Sequence, residues 1–296
     1  MDFLLQIQTS VNNSNFWGIS YDALFMGFTP ILIFILGYII NEKIKNCHEK
    51  KRLYELEEYL KSSIGILKEP LNKQIEELLK FSNSLKEKKE THLYLDHLAS
   101  FDVEQIKEIS SKDLYKIFIK NKKGSIVEKT ELYGKLRAGI DYFDAIKKSL
   151  GNDFSSFSKQ YFENEDVYRQ NFKLLDEFIL VMGSKSESNL IERDSFLSEL
   201  YNIRGNWDSL KKDNVNYTDM HITRKMYIDP VRDLCSKYLW HNYVEFILKH
   251  LIFCIYAYND IEETKKEFSR DVLLISERLR NSWLGINSAL KKFDSM

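Results

Sequence analysis

Apolar residues first cluster between Ala23 and Ile40, an 18-residue stretch without a charge. A helix of this length rises about 27 Å, close to the ~30 Å hydrocarbon core of a bilayer. Buried core helices usually carry shorter apolar runs, and a cleaved signal peptide needs a positive segment before its apolar run. Residues 1–22 contain no Lys or Arg. The pattern therefore predicts a transmembrane helix over residues 22–41, after an extracytoplasmic tail at residues 1–21.

Beyond Asn41 the apolar residues recur every three or four positions in a charged background. This spacing predicts a helical stalk or hairpin over residues 42–90, broken at Pro70. Similar spacing continues without strand-like alternation, which predicts a cytosolic α-helical domain over residues 91–296. The predicted fold class is all-α: one N-terminal transmembrane helix that continues into a stalk, then a cytosolic multi-helix bundle.

Glycine, proline and capping residues predict where the later helices end. Gly151 and Gly183 are expected to close helices, and residues 206–229 to form an irregular loop. Asp229-Pro230 is expected to open a helix that runs to about Tyr258.

The apolar segment 251–258 is predicted to be a central buried helix rather than a second span, because charged residues lie close before it. Asn259 or Asp260 is expected to cap the last helix.

The charge distribution predicts the orientation of the span. Lys43, Lys45, Lys50, Lys51 and Arg52 follow it closely. The positive-inside rule then places the tail outside and the body in the cytoplasm of a cell with an inner membrane. The part after Asn41 holds 43 basic and 42 acidic residues, so contact with nucleic acid would need a local basic patch. Three scattered cysteines fit a reducing compartment.

One face of the predicted span carries small residues and could line a pore if several copies assemble. Phe34 would form a hydrophobic constriction, Asn41 would ring the inner mouth, and Asp22 would ring the outer mouth and favour cations. The alternative is a simple anchor whose small residues pack without a pore. The predicted pore-lining residues are Asp22, Gly27, Pro30, Phe34, Gly37 and Asn41.

The sequence contains no familiar catalytic or metal-binding motif. HExxH, Cys-x-x-Cys, the phosphate-binding GxxxxGK[ST], GxGxxG before a helix, and Gly-x-Ser-x-Gly are all absent. We therefore expect no catalytic residues, no metal site, no cofactor and no enzymatic activity.

Basic and aromatic residues concentrate between Tyr217 and His241. Arg and Lys can bind phosphate groups, and aromatic rings can stack on bases. The alternative is an ordinary basic loop beside a core helix. The predicted ligand-binding residues are Arg224, Lys225, Arg232, Lys237, Trp240 and His241.

At the level of architecture, the span at 23–40, the basic flank at 43–52 and the helical remainder resemble single-span membrane effectors of bacterial anti-phage defence. Examples are the Hailong effector and abortive-infection proteins with an N-terminal span. The resemblance implies a homo-oligomer in membrane lipid whose spans form an ion-conducting pore, gated by a nucleotide or oligonucleotide. It also implies a partner protein encoded alongside. A membrane-anchored helical scaffold or adaptor without a pore is the alternative, and an enzyme with an unrecognised site is a third hypothesis.

Overall fold

The computed structural model describes residues 15–16, 19–87, 95, 103–185, 194–212 and 219–296, with the side chains of 26–87, 95, 103–182, 194–210 and 219–296. These residues are helical except for short connections and an antiparallel pairing of β1 (Asn15–Phe16) with β2 (Ile19–Ser20). The predicted all-α class is confirmed. Most of the predicted extracytoplasmic tail lies outside the described residues.

The helices follow one another with few connecting residues. In chain order they are α1 (Tyr21–Ile66), α2 (Lys68–Lys86), α3 (Glu104–Lys107), α4 (Ser111–Tyr115), α5 (Ile126–Lys185), α6 (Ser195–Lys212), α7 (Met220–Thr223), α8 (Asp229–Lys237) and α9 (Val244–Ser295). A π-helical turn continues α4 over Lys116–Lys120, and another continues α7 over Arg224–Ile228. The chain divides into two compact units, residues 1–62 with 109–122 and residues 63–108 with 123–296.

Helix α1 continues through Pro30 and past Asn41 without a break. It ends at Ile66, and the backbone N–H of Leu67 donates to the carbonyl of Ile64 at 3.1 Å. Pro70 falls in the first turn of α2, where the missing N–H removes no helical hydrogen bond. The predicted break is therefore found three residues before the proline.

Three long helices of the second unit, α2, α5 and α9, form its core. An aromatic cluster lies where they meet. Phe157 of α5 and Phe268 of α9 stack with ring centroids 4.3 Å apart. Phe81 of α2 approaches both rings edge-on, at 6.4 and 6.1 Å. Offset and edge-on pairs of this kind stabilise a core beyond the area that they bury.

Two serines connect α2 to α9 inside this core. The Ser82 hydroxyl donates to the backbone carbonyl of Ser269 at 2.9 Å, and the Ser269 hydroxyl donates to the carbonyl of Ser82 at 2.9 Å. Both residues are buried. The small side chains allow the two helices to approach closely, and each hydroxyl finds a partner, so neither leaves an unsatisfied polar group.

The predicted helix end at Gly151 is wrong, because the 60-residue helix α5 continues through this glycine. Glycine costs only about 1 kcal/mol in a helix interior. Leu150 and Phe157 are buried on either side of the glycine, and α5 packs along α9. Tertiary packing therefore outweighs the local preference for a break. The described part of α5 also continues past the predicted end at Gly183, to Lys185.

The irregular loop predicted over residues 206–229 is also wrong in its described part. Helix α6 extends to Lys212, and α7 with its π-helical turn covers residues 220–228. Residues 213–218 lie outside the described residues. Trp207 and Tyr227 are buried and stack with ring centroids 5.8 Å apart. The segment is helical because its aromatic residues pack into the core, although their spacing in sequence is irregular.

The last helical break lies at residues 238–243 and not at Asn259 or Asp260, so that prediction is wrong. Helix α8 ends at Lys237, and α9 runs unbroken from Val244 to Ser295. Tyr258 and Ile261 are both buried, so the buried stripe of α9 crosses the expected cap. Hydrogen bonds from His241 N–H to the Tyr238 carbonyl and from Val244 N–H to the His241 carbonyl form the connection.

The prediction of a central buried helix over residues 251–258 is confirmed for one face of the helix only. Leu251, Cys254, Ala257 and Tyr258 face the core, whereas Tyr256 is 63% exposed. Ile252 and Phe253 are also exposed. The described residues contain one helix that is long and apolar enough to cross a membrane, near the N-terminus, and this segment is not it.

Helices α5 and α9 approach so closely at Gly139 that no side chain fits. A Cβ there would lie 2.7 Å from Cγ1 of Ile286, which is 1% exposed. We expect Gly139→Ala to lower the free energy of unfolding by about 1–3 kcal/mol, because an overpacked core must shift. Chemical denaturation of the detergent-solubilised chain, followed by circular dichroism, measures the change.

Gly134→Ala is the matched control, because a Cβ at Gly134 meets nothing within 4 Å. That substitution should raise the free energy of unfolding by about 0.5–1 kcal/mol, since alanine is the better helix former. Equal stability of the two variants would contradict the close approach at Gly139.

Candidate functional site

The first half of α1 presents a long apolar surface that no other described residue covers. Every residue from 26 to 50 is exposed. An 18-residue window of this helix has a mean hydropathy of 1.4, and none of it is buried. Monomeric soluble proteins rarely leave so large an apolar surface in water. The surface needs lipid, other copies of the chain, or both to cover it.

The unbroken register of α1 places five of the predicted pore-lining residues on one stripe: Gly27, Pro30, Phe34, Gly37 and Asn41. At about 100° per residue they span an arc of roughly 80°. The backbone of Asp22 lies about 100° from the centre of this stripe by the same rule, and its side chain is outside the described part of the chain.

Side chains on the stripe leave room for a neighbouring helix. A Cβ added at Gly27 or at Gly37 would meet nothing within 4 Å. Phe34 is 75% exposed between them. Small residues beside one large apolar ring allow close helix approach and provide one bulky group that can obstruct a channel.

Further along, the stalk (residues 42–62 of α1) is held by residues 109–122, which we call the clasp. Both belong to the first compact unit. The ion pairs that join them are Glu49 with Lys116, Arg52 with Asp113, and Glu57 with Lys122.

The contact between Arg52 and Asp113 is bidentate, with nitrogen–oxygen distances of 2.6 and 3.2 Å. Ser110 caps α4 by accepting a hydrogen bond from the backbone N–H of Asp113 at 3.1 Å. The cap fixes the first turn of α4 and so holds the Asp113 carboxylate towards the guanidinium.

The carboxylates of the three ion pairs between stalk and clasp have pKa values shifted in the direction that favours their charged forms. The hydrogen bond from Arg52 lowers the pKa of Asp113, and the hydrogen bond from Lys116 lowers the pKa of Glu49. Burial acts to raise the pKa of Glu57, but hydrogen bonds from Lys122 and Lys61 outweigh it, so that pKa is also lowered. These carboxylates therefore stay ionised at neutral pH and keep their cationic partners.

Some residues of the predicted basic and aromatic ligand site are occupied by contacts within the fold, and others are not. Arg224 lies 4.5 Å over the ring of Tyr258 and donates to the side-chain oxygen of Asn259 at 2.6 Å. It also approaches Asp229 at 3.8 Å. A guanidinium engaged in this way stabilises the fold first and has few donors left for a ligand.

Two more of the predicted residues are paired with acidic groups. Arg232 contacts Asp229 at 3.2 Å and Asp233 at 2.8 Å. Nε2 of His241 lies 2.9 Å from Asp194, and the His241 side chain is only 10% exposed. The Arg232 pairs lie within α8, and the His241 contact joins the connection after α8 to Asp194, just before α6.

Lys225, Lys237 and Trp240 remain available. All three are exposed, and Trp240 is 76% exposed. Among the described residues, neither lysine makes a hydrogen bond or an ion pair. Two lysines and an open indole can attract phosphate and stack on a base. They are the members of the predicted set that best fit a ligand-binding role.

Sequence reasoning missed the residues that position Arg224. The Tyr258 hydroxyl forms a hydrogen bond with Nδ1 of His221 at 2.8 Å. Burial raises the pKa of Tyr258 to about 12. No sequence signal connects Tyr258 to Arg224, because 34 positions separate them. In the sequence pattern, Tyr258 only continues the run of apolar residues in α9. Only the packing of the π-helical turn onto α9 brings them together.

Within the described residues, no group of His, Cys, Asp and Glu is placed to hold a metal ion. No protein-family model, no curated protein and no solved structure matches this chain.

Proposed function

We propose that this chain is an oligomeric membrane effector of bacterial anti-phage defence, which forms an ion-conducting pore. The span of one copy packs against the spans of others in the inner membrane. The N-terminal tail lies outside, and the helical body lies in the cytoplasm, where it senses a nucleotide or oligonucleotide. A partner protein encoded alongside supplies or controls that signal.

The observation that carries the proposal is the uncovered stripe on an unbroken helix. Gly27, Pro30, Phe34, Gly37 and Asn41 share one face, and all are exposed. In lipid, apolar burial alone does not drive helices together, so close packing at small residues is the usual basis of association. A ring of such helices brings Phe34 of each copy towards the axis, where apolar side chains can close a pore by expelling water.

Charge supports the orientation. Lys43, Lys45, Lys50, Lys51 and Arg52 follow the span, and the acidic residues within positions 42–52 are Glu42 and Glu49. Cationic residues within about 15–20 positions of a span are retained on the cytoplasmic side. The second compact unit, which follows the stalk in the chain, is then cytoplasmic.

The scaffold alternative is favoured by a specific observation. Arg224, Arg232 and His241 already have partners within the fold. These contacts leave fewer cationic groups for a nucleotide, as expected of a body that binds none and a span that serves only as a tether. The experiments below separate the two functions.

We expect Phe34→Ala to increase ion flux through reconstituted vesicles by about tenfold, because it removes the bulkiest group on the stripe. Leu32→Ala is the matched control, since Leu32 lies on the opposite face of α1 and is also exposed. Flux is measured with a potential-sensitive dye, in vesicles and in cells that express the full chain or residues 41–296.

Under the pore proposal, the full chain depolarises cells and residues 41–296 do not. Replacing residues 23–40 with an unrelated span should abolish this effect. If cells carrying the unrelated span keep the full activity, the chain is a scaffold. Equal flux from the Phe34 and Leu32 variants would show that Phe34 is not the gate.

Ligand binding is expected to depend on Lys225 and Lys237. The double variant Lys225→Glu/Lys237→Glu should weaken the binding of a short oligonucleotide about tenfold, since two attractive charges become repulsive. Titration calorimetry at two salt concentrations measures the affinity. The control pair Lys148→Glu/Lys159→Glu makes the same change of four charge units, at exposed lysines of α5 that pair with Asp144 and Glu163. Equal loss in that control, or none in the double variant, would reject the site.

A further inference from the structure

The second compact unit, which we call the body, has two connections to the stalk: the end of α1 itself, from Ser63 onwards, and the clasp. The chain leaves the second compact unit after Glu108, contacts α1 through residues 109–122, and returns to the second unit at Lys123. Both ends of the clasp are therefore covalently attached to the body. Any rearrangement of the body that moves these two ends also displaces a segment held on α1 by ion pairs.

The charges on the two sides of this contact fit only one register. Glu49, Arg52 and Glu57 alternate in sign along the stalk, and each faces an opposite charge on the clasp. Sliding α1 by three residues in one direction would bring Arg52 opposite Lys116, and in the other direction Glu49 opposite Asp113.

A slide by four residues is no better. It would bring Lys61 opposite Lys122 in one direction and Lys45 opposite Lys116 in the other. Every one-turn displacement of α1 therefore creates a contact between like charges, which is destabilising. The clasp thus specifies one axial position of the helix rather than merely attracting it.

The axial position of the stalk also determines the axial position of the stripe. Helix α1 is unbroken from Tyr21 to Ile66, and Phe34 lies 18 residues before Arg52, about 27 Å along the axis. An α-helix moves nearly as a rigid rod over this distance. A change at the ion pairs therefore translates or rotates Phe34 with little loss.

Two of the three ion pairs are also weak enough to be released, although Ile117, Phe118 and Ile119 of the clasp are buried. Arg52 is 54% exposed, and Glu49 is 46% exposed. Exposed ion pairs contribute little individually and are screened by salt. Glu57 and Lys122 are only 14% and 16% exposed, so their pair is the most persistent of the three.

We propose that the clasp is an autoinhibitory contact that holds α1 in the closed position, and that a signal in the body opens the pore by releasing it. This inference rests on the proposed pore function and names the regulation of that same pore. It requires no ligand at the clasp itself. The regulatory event is the loss of a register-specific set of ion pairs.

The test is a charge-reversal cycle on the bidentate pair. Purified full chain is reconstituted in planar bilayers, and basal current is recorded without any ligand. We expect Asp113→Arg to raise basal open probability at least about tenfold, because the introduced guanidinium would repel Arg52 and Lys116. The double variant Arg52→Asp/Asp113→Arg restores the pair in reverse and should return the open probability to within about twofold of wild type.

Glu131→Arg is the matched control. It reverses an exposed carboxylate that pairs with Lys135 at 2.7 Å within α5, outside the first compact unit. It should leave the basal current unchanged. Thermal unfolding followed by circular dichroism verifies that every variant is folded before its current is interpreted.

A second measurement does not depend on conduction. The three cysteines of the chain are Cys47, Cys235 and Cys254, and only Cys47 is exposed. Burial raises the pKa of Cys235 and of Cys254 to about 12, so a nitroxide reagent labels Cys47 selectively. Asp113→Arg should increase the mobility of this label in the stalk, and the double variant should reverse the increase.

The outcomes are distinct. If wild type conducts and Asp113→Arg conducts no more, or if the double variant stays as active as Asp113→Arg, the clasp is not an autoinhibitory contact. If no folded variant conducts, the pore itself is rejected and its regulation with it. If label mobility is the same in all four proteins, the ion pairs do not hold the stalk in solution.

Discussion

Twenty-five consecutive residues of α1, from Met26 to Lys50, are exposed, and the first fifteen of them are almost all apolar. No other residue that the structure describes covers them. Water is a poor solvent for such a surface, since burial stabilises by about 25 cal/mol for each Å² of apolar area. This unsatisfied surface is the constraint on which the account depends, because it requires an environment that the described part of the chain does not supply. In the proposed oligomer, lipid and neighbouring copies meet the requirement together, and the stripe of small residues determines which face each of them covers.

The second compact unit differs from the first half of α1, because its helices bury their apolar residues against one another. Helices α2, α5 and α9 pack together around Phe157 and Phe268, and the Ser82–Ser269 contact fixes two of them in register. The second unit is therefore stabilised by its own packing, whereas the apolar part of α1 needs other molecules to cover it. The clasp is where the two units meet in the chain; it includes three buried apolar side chains, Ile117, Phe118 and Ile119, and it contacts α1 through ion pairs of charged side chains. Such contacts respond to salt, pH and small displacements far more readily than apolar packing does.

Sequence reasoning predicted what depends on local pattern and missed what depends on distant contacts. The long apolar helix near the N-terminus, the helical class and the stripe follow from the local pattern of apolar residues. The continuity of α5 through Gly151 does not, because its packing on α9 overcomes a glycine cost of about 1 kcal/mol. Likewise, Arg224 was predicted to bind a ligand, yet Tyr258 and Asn259 engage it from another helix. The pairing of Arg52 with Asp113 joins residues 61 positions apart, and no spacing rule connects them.

The most direct test of the central claim is a nitroxide scan of α1 in reconstituted vesicles. Single cysteines are placed in turn at residues 26–40 of a Cys47→Ser chain, and the accessibility of each label to oxygen and to a polar nickel complex is measured. The account predicts that oxygen is favoured throughout, most strongly at the centre, with reduced accessibility every three to four residues along the stripe at Gly27, Phe34 and Gly37. High accessibility to the nickel complex along the whole stretch, or exclusion of both reagents at every position, would contradict it.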